Sequence, residues 1–254
     1  MEYKNRIGEE SNNKFGSSIK VIGYRNYNDV DIYFSDYDWT YYNIDYNSFK
    51  RGSVKCPYEP RIFNIGYIGE GLYKSKENGV QTRSYKTWYD MLKRCYDENH
   101  RDKFISYENC CVCDEWLNYQ NFAEWYEYNY YEVSGEIMHI DKDILIKGNN
   151  IYSPETCIFV PQTINNLIIK RDNDRGELPI GVWYDSSRNK FKAYCCNGKG
   201  KVITIGRYQT VEEAFNAYKL YKENVIKIIA DEYINYIPYM LYEALYNYNV
   251  DIND

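Results

Sequence analysis

The residues best suited to chemistry lie close together in the second half of the chain. His139, Asp141 and Asp143 fall within five residues, and Asn165 follows on a predicted helix. His139 and Asp141 are two residues apart, so on a strand their side chains point to the same face. Carboxylate and amide oxygens are ligands that suit a hard divalent ion such as Mg²⁺. An imidazole is the side chain that most often moves protons near neutral pH.

The elements that must position these residues are predicted in the order strand, loop, strand, helix. Residues 136–145 indicate a strand and turn, residues 150–154 a polar loop, and residues 157–160 a second strand. A helix is predicted to begin near Pro161 and to carry Ile164, Asn165 and Leu167.

HIDKDIL at 139–145, PETCIFVP at 154–161 and the pair Ile164-Asn165 together resemble the ββα-metal core of HNH homing endonucleases. The segment also resembles phage-encoded proteins in which this core precedes an AP2-like domain. The resemblance implies a Mg²⁺ site formed by Asp141, Asp143 and Asn165, with His139 as the general base that activates water for cleavage of DNA.

In a second interpretation, the segment has the HNH-like fold but no catalytic activity. Lys142 stands where the family has its catalytic histidine, and Thr156 stands where it has the middle asparagine. A lysine is a poor base at neutral pH unless its pKa is strongly lowered. In this interpretation Asp141 and Asp143 make turn or lysine contacts, and His139 packs at the strand edge.

Cysteines offer a separate candidate metal site. Cys110 and Cys113 have the spacing of a zinc-binding pair, which Cys95 and Cys157 could complete. The adjacent Cys111 and the irregular spacing make zinc the weaker interpretation, and buried or half-buried thiols are the favoured one.

The C-terminal segment alternates in the manner of a small sheet followed by a helix. GVWY, KFKAYCC and KVITIG are predicted strands joined by polar turns at 185–189 and 197–200, and Thr210 is a predicted N-cap. Residues 179–230 resemble the AP2 DNA-binding domain. The matching positions are Gly181, Val182, Lys190, Phe191, Ala193, the turn NGKGK, Gly206, Tyr208, Glu212, Glu213, Ala214, Ala217 and Tyr218.

Charge supports a nucleic-acid interface in this segment. The chain has a net charge of −6, yet residues 170–207 contain nine Lys or Arg and four Asp or Glu, a local net charge of +5. Alternation places Phe191, Ala193 and Cys195 towards the helix and leaves Lys192 and Tyr194 on the opposite face. The predicted contacts to double-stranded DNA are Trp183, Tyr184, Arg188, Lys190, Lys192, Tyr194, Lys199, Lys201 and Arg207.

The whole chain is predicted to have an α+β fold made of three modules. These are a β-rich N-terminal module at 1–75, an HNH-like central domain with flanking helices at 76–172, and an AP2-like domain with a C-terminal helix at 173–254. The content of 44% hydrophobic and 27% charged residues is that of a globular protein. No run is long enough to span a membrane, so we expect an intracellular, cytoplasmic protein.

Three functions remain open at this point. The first is a DNA endonuclease of the homing type, and the second is an inactive DNA-binding regulator on an HNH frame. The third is a phage-encoded inhibitor that binds a host protein, because an aromatic content of 18% is suited to protein interfaces.

Overall fold

The computed structural model describes residues 5–104, 109–169 and 178–253. In chain order the strands are β1 (Glu10–Asn12), β2 (Ser18–Asn26), β3 (Asp29–Phe34), β4 (Trp39–Ile44), β5 (Lys76–Glu77), β6 (Val80–Gln81), β7 (Cys111–Val112), β8 (Met138–Asp141), β9 (Ile151–Tyr152), β10 (Ile158–Pro161), β11 (Val182–Asp185), β12 (Lys190–Cys196) and β13 (Val202–Tyr208). The α-helices are α1 (Tyr46–Lys50), α2 (Arg83–Tyr96), α3 (Glu98–Arg101), α4 (Tyr119–Asn129), α5 (Gln162–Ile168), α6 (Val211–Tyr233) and α7 (Tyr239–Tyr246).

The mixture of helices and small sheets confirms the α+β class. The chain divides into two compact units, one made of Met1–Tyr128 with Ile151–Ser153 and the other of Asn129–Asn150 with Pro154–Asp254. The predicted module boundaries at 75/76 and 172/173 do not coincide with this division, and the three-module description stays a prediction. Residues 170–172, at the second predicted boundary, lie outside the described part of the chain.

The first unit begins with an antiparallel sheet in the order β1-β2-β3-β4. Apolar residues alternate on either side of a polar turn within residues 18–34, which predicts a hairpin. The hairpin is confirmed, since Asn26 pairs with Asp29 across its turn. Apolar side chains from β2 and β3, with Phe49 of α1, form its buried core. The segment YNSFKRG predicts a short helix that ends at Gly52. The helix α1 does end just before Gly52, whose φ of +60° lies in the left-handed region that glycine adopts at helix ends.

The helices of the first unit are stabilised by buried aromatic side chains. Helical spacing predicts that Trp88, Met91, Leu92 and Cys95 share one face of a helix. They form a stripe on α2 that is fully buried. Trp88 Nε1 donates a hydrogen bond to the Trp116 carbonyl at 2.7 Å. The apolar residues Trp116, Phe122 and Trp125 predict one helix over residues 114–130. This segment is divided instead, because a 3₁₀ turn at Asp114–Leu117 precedes α4. The predicted polar loop at 150–154 contains β9, which pairs in parallel with β7.

The second unit is organised around the long helix α6. The first half of α6 packs on the sheet β11-β12-β13, where Ala214, Phe215 and Tyr218 are buried. Its second half belongs to another apolar cluster, in which Val225, Ile226 and Ile229 contact residues of β10, α5 and α7. One helix therefore contributes to the cores of both segments that the sequence singles out for function. No helix among the described residues is long and apolar enough to cross a membrane.

Candidate nucleic-acid interface

Strand register places three predicted DNA contacts side by side on the C-terminal sheet. Trp183 of β11 pairs with Lys192 of β12, and Lys192 pairs in turn with Arg207 of β13. Paired residues of antiparallel strands project to the same face, with strands about 4.8 Å apart. Trp183 is 64% exposed although it is a tryptophan. We call this surface, formed by Trp183, Asp185, Lys190, Lys192 and Arg207, the open face of the sheet.

The opposite face is covered by α6, as the alternation predicts. Ala193 and Cys195 are buried there, in one cluster with Ala214 and Tyr218 of the helix. A Cβ atom added to Gly181 would lie 2.1 Å from a ring carbon of Tyr218, so only glycine allows the helix to approach the start of β11 this closely. The helix is held at its N-terminus by the capping box between Thr210 and Glu213.

The pairing of β12 with β13 is interrupted by a bulge between Ala193 and Tyr194. Beyond the bulge Tyr194 pairs with Thr204, and Tyr194 is half-buried. Bulges increase local twist and redirect side chains. Tyr194 therefore lies next to the open face, beyond the change of register.

An acidic residue that the sequence analysis did not select lies on the open face. Asp185 Oδ2 accepts hydrogen bonds from Arg207 Nε at 2.9 Å and from Arg188 Nη1 at 3.2 Å. Its Oδ1 accepts from Ser187 Oγ at 2.7 Å. Hydrogen bonds from Ser187 and the two arginines hold the pKa of this carboxyl far below its usual range. Arg188 and Arg207, both predicted DNA contacts, therefore share the carboxylate of Asp185.

Two predicted DNA contacts, Tyr184 and Lys199, lie on the helix side of the sheet. Tyr184 projects to the helix side at the edge of the sheet, where its ring is 5.3 Å from that of Phe191 and its hydroxyl contacts Asn189. Lys199 forms an ion pair with Glu232 of α6, with Nζ 2.9 Å from the carboxylate oxygen. Lys201 is exposed in the turn between β12 and β13, and Lys190 pairs with Asp185 across the sheet.

The second candidate site lies on the antiparallel pair β8 and β10, which α5 follows. His139 pairs with Val160, and Asp141 pairs with Ile158. Val160 and Ile158 belong to the same apolar cluster as Ile164 and Leu167 of α5. His139 and Asp141 therefore project to the side of the two strands that α5 covers, and the helix also carries the half-buried Asn165.

The acidic groups at this site make local contacts. Asp141 Oδ1 accepts hydrogen bonds from the backbone N–H groups of Asp143 at 3.0 Å and Ile144 at 2.8 Å. Lys142 Nζ donates to Asp143 Oδ2 at 3.4 Å and to the Asn149 carbonyl at 3.1 Å. These are the turn and lysine contacts expected of a core without chemistry.

One property of Asp141 nevertheless fits a cation. Burial and the nearby charge of Asp143 raise the pKa of Asp141 to about 6, so its ionised form is held in an unfavourable environment. A divalent ion would stabilise that form, and Asp141 Oδ2 is a suitable ligand because Oδ1 supports the turn. Asp141 and Asp143 would hold such an ion, and Asn165 is the amide ligand that the sequence predicts.

The four cysteines that the sequence offers as zinc ligands are buried or half-buried. Cys95, Cys110 and Cys157 are buried, and Cys113 is half-buried. Across the described ranges, no group of three or more His, Cys, Asp or Glu side chains is arranged to hold a metal ion, and this finding covers His139, Asp141 and Asp143 as well as the cysteines.

Comparisons with known proteins bear on the C-terminal segment. No curated protein and no solved structure shows significant similarity to the chain. Residues 177–228 match the family model of the AP2 domain, a range that contains β11, β12, β13 and most of α6. The match identifies the sheet with its open face as the AP2-like part of the chain, which indicates binding to DNA.

Proposed function

We propose that the protein binds double-stranded DNA by placing the open face of its C-terminal sheet in the major groove. The observation that carries this proposal is the row Trp183, Lys192 and Arg207, one residue from each strand, on the face opposite α6. The major groove admits a small β-sheet or ribbon, and Lys and Arg on it reach phosphates or guanine edges. A large aromatic side chain packs against sugars or thymine methyl groups.

The distribution of charge supports a local contact. The chain has a net charge of −6, so its affinity for DNA depends on local clusters of Lys and Arg, because their contacts with phosphates supply most non-specific affinity. Lys192 lies at the centre of the row, between Trp183 and Arg207, and in this position it would contact a phosphate. The remaining surface then limits the orientations in which the protein can approach the duplex.

Two lysines of the same segment provide a matched test. Lys192→Ala removes a charge from the open face, whereas Lys199→Ala removes one from the helix side. We expect Lys192→Ala to weaken binding to a fluorescent 25-base-pair duplex by about fivefold, and Lys199→Ala to leave it nearly unchanged. Equal effects of the two substitutions, or no binding by the native protein, would contradict the proposal.

We infer a second activity, metal-dependent cleavage of the bound DNA, from the site on β8. Its support is the position of His139 and Asp141 on the side of the strands that α5 covers, together with the raised pKa of Asp141. Here Asp141, Asp143 and Asn165 would hold Mg²⁺, and His139 would accept a proton from the attacking water. Without this activity the protein is a DNA-binding regulator on the same frame.

Cleavage of supercoiled plasmid with Mg²⁺ or Mn²⁺ tests the second activity. Native protein should nick the plasmid, and Asp141→Asn, which keeps an oxygen for the turn hydrogen bonds, should not. In the same samples, Mn²⁺ should raise the melting temperature of the native protein but not of Asp141→Asn, because only ion binding to the folded state stabilises it. If the native protein binds DNA but neither nicks the plasmid nor shows a metal-dependent change in melting temperature, the cleavage activity is wrong. The protein is then a DNA-binding regulator.

A further inference from the structure

Asp185 occupies an unexpected place for a carboxylate in a DNA-binding surface. It lies two residues after Trp183 on the same face of β11, and it pairs across the sheet with Lys190. Its side chain is 14% exposed, whereas that of Arg207 is 36% exposed. The carboxylate is thus half-buried beneath the more exposed guanidinium group that it contacts.

Stability alone gives little reason for this arrangement. Ion pairs with an exposed partner contribute little to folding, because water and salt screen them. A negative charge among basic side chains also lowers the attraction of the surface for phosphates. Asp185 therefore lowers the positive charge of the open face, on which the proposed DNA binding depends. Its contact with Arg207 would have to serve DNA binding directly to offset this loss.

The hydrogen-bond geometry indicates how it could do so. Asp185 accepts from Nε of Arg207, at the base of the guanidinium group. The two terminal amino groups then stay available at the outer end, where they can donate together to O6 and N7 of one guanine. An arginine held at Nε loses less conformational freedom on binding than an unsupported one, and its plane is already oriented.

We propose that Asp185 is a specificity-determining residue of the open face, which orients Arg207 towards a guanine and suppresses binding to other sequences through its charge. The proposal rests on the DNA-binding function proposed above. Arg188, which contacts the same carboxylate oxygen from the turn after β11, is placed to help hold the cluster together.

The test compares Asp185→Asn with Glu232→Gln. Both remove one negative charge, but Glu232 pairs with Lys199 on the helix side, so the second variant controls for net charge. Preferred duplexes are first selected with the native protein from a random-sequence pool. Dissociation constants are then measured for the selected duplex and for a scrambled duplex of equal length, and their ratio gives the specificity.

We expect Asp185→Asn to bind the scrambled duplex about twofold to fivefold more tightly and to lose on the order of tenfold in specificity. Glu232→Gln should keep the native specificity. Arg207→Lys keeps the charge without the planar group, so it should lose the same guanine preference and show no further loss when combined with Asp185→Asn.

The outcomes separate this inference from the proposed function. If the native protein does not bind duplex DNA, both fail. If it binds DNA without sequence preference, or if Asp185→Asn keeps the native specificity, the role of Asp185 is wrong and the DNA-binding function stands. If Arg207→Lys keeps the guanine preference, the orientation of Arg207 by Asp185 is likewise wrong.

Discussion

Trp183 is the residue whose contribution to binding can be separated best from its contribution to folding. Its side chain is largely exposed and lies beside Lys192. We predict that Trp183→Ala weakens DNA binding by about fivefold or more, roughly 1 kcal/mol, because tryptophans that become buried on binding dominate many interfaces. The melting temperature should hardly change, since surface substitutions away from packed contacts are nearly neutral.

Tyr184 is the control for this prediction. It is the next residue along β11 but projects to the helix side, against Phe191. Tyr184→Ala should lower the melting temperature slightly and leave the affinity for DNA almost unchanged. A loss of affinity with Tyr184→Ala but not with Trp183→Ala would mean that the two faces of the sheet have been assigned the wrong way round.

At this scale the sequence predicts which residues share a face but not which side chains meet. The alternation in β12 correctly places Ala193 towards the helix and Lys192 away from it. The contact between Asp185 and Arg207 spans 22 residues and depends on the register of three strands. The pairing of Lys199 with Glu232 depends on the length of α6, so it too could be known only from the folded chain.

Among the elements, Glu136 connects the loop before β8 to two helices. Its Oε1 accepts hydrogen bonds from Thr163 Oγ1 at 2.6 Å and from the Tyr233 hydroxyl at 2.5 Å, and its Oε2 accepts from the Thr163 backbone N–H. Hydrogen bonds to a charged group each contribute about 1.5–3 kcal/mol. We predict that Glu136→Gln lowers the free energy of unfolding at pH 7 by roughly 2 kcal/mol.

The pH dependence of this loss has a definite sign. Burial raises the pKa of Glu136, but the hydrogen bonds from Thr163 and Tyr233 outweigh burial and hold the pKa below the ordinary value of a glutamate. A lowered pKa stabilises the folded state above the unfolded value, and this contribution disappears as the pH falls through the folded value. Urea unfolding at pH 7 and pH 3.5 should therefore show a smaller difference between native protein and Glu136→Gln at the lower pH.

Local patterns predict most of the elements that carry the candidate sites. The strands of the C-terminal sheet, the cap at Thr210 and the stripe on α2 follow from alternation, capping chemistry and helical spacing. The strand β9 is missed because its two residues pair with β7, some 40 residues earlier, and a two-residue strand has no period of its own. The division before α4 is missed because Trp116 is buried in a 3₁₀ turn as well as it would be in a helix.

For the whole molecule, the sequence predicts three modules, and the contacts divide the chain into two compact units. The AP2-like segment and the β8–β10–α5 segment, which the sequence predicts to be separate domains, both lie in the second compact unit. The reason is α6, whose 23 residues continue past the sheet into the apolar cluster that holds Ile164 and Leu167. The period of a helix does not reveal that its two halves face different partners.

The whole molecule is acidic, so its binding to DNA depends on a few local contacts between basic side chains and phosphates. The salt dependence of the affinity counts such contacts, which makes it the most direct test of DNA binding through the open face. Affinity for a duplex is measured by fluorescence anisotropy between 50 and 200 mM salt for the native protein, Lys192→Ala and Lys199→Ala. The account predicts that the slope of log affinity against log salt falls in magnitude by about 0.9 for Lys192→Ala and is unchanged for Lys199→Ala, as expected for one lost phosphate contact. An unchanged slope for Lys192→Ala, or an equal fall for both variants, would contradict DNA binding through the open face.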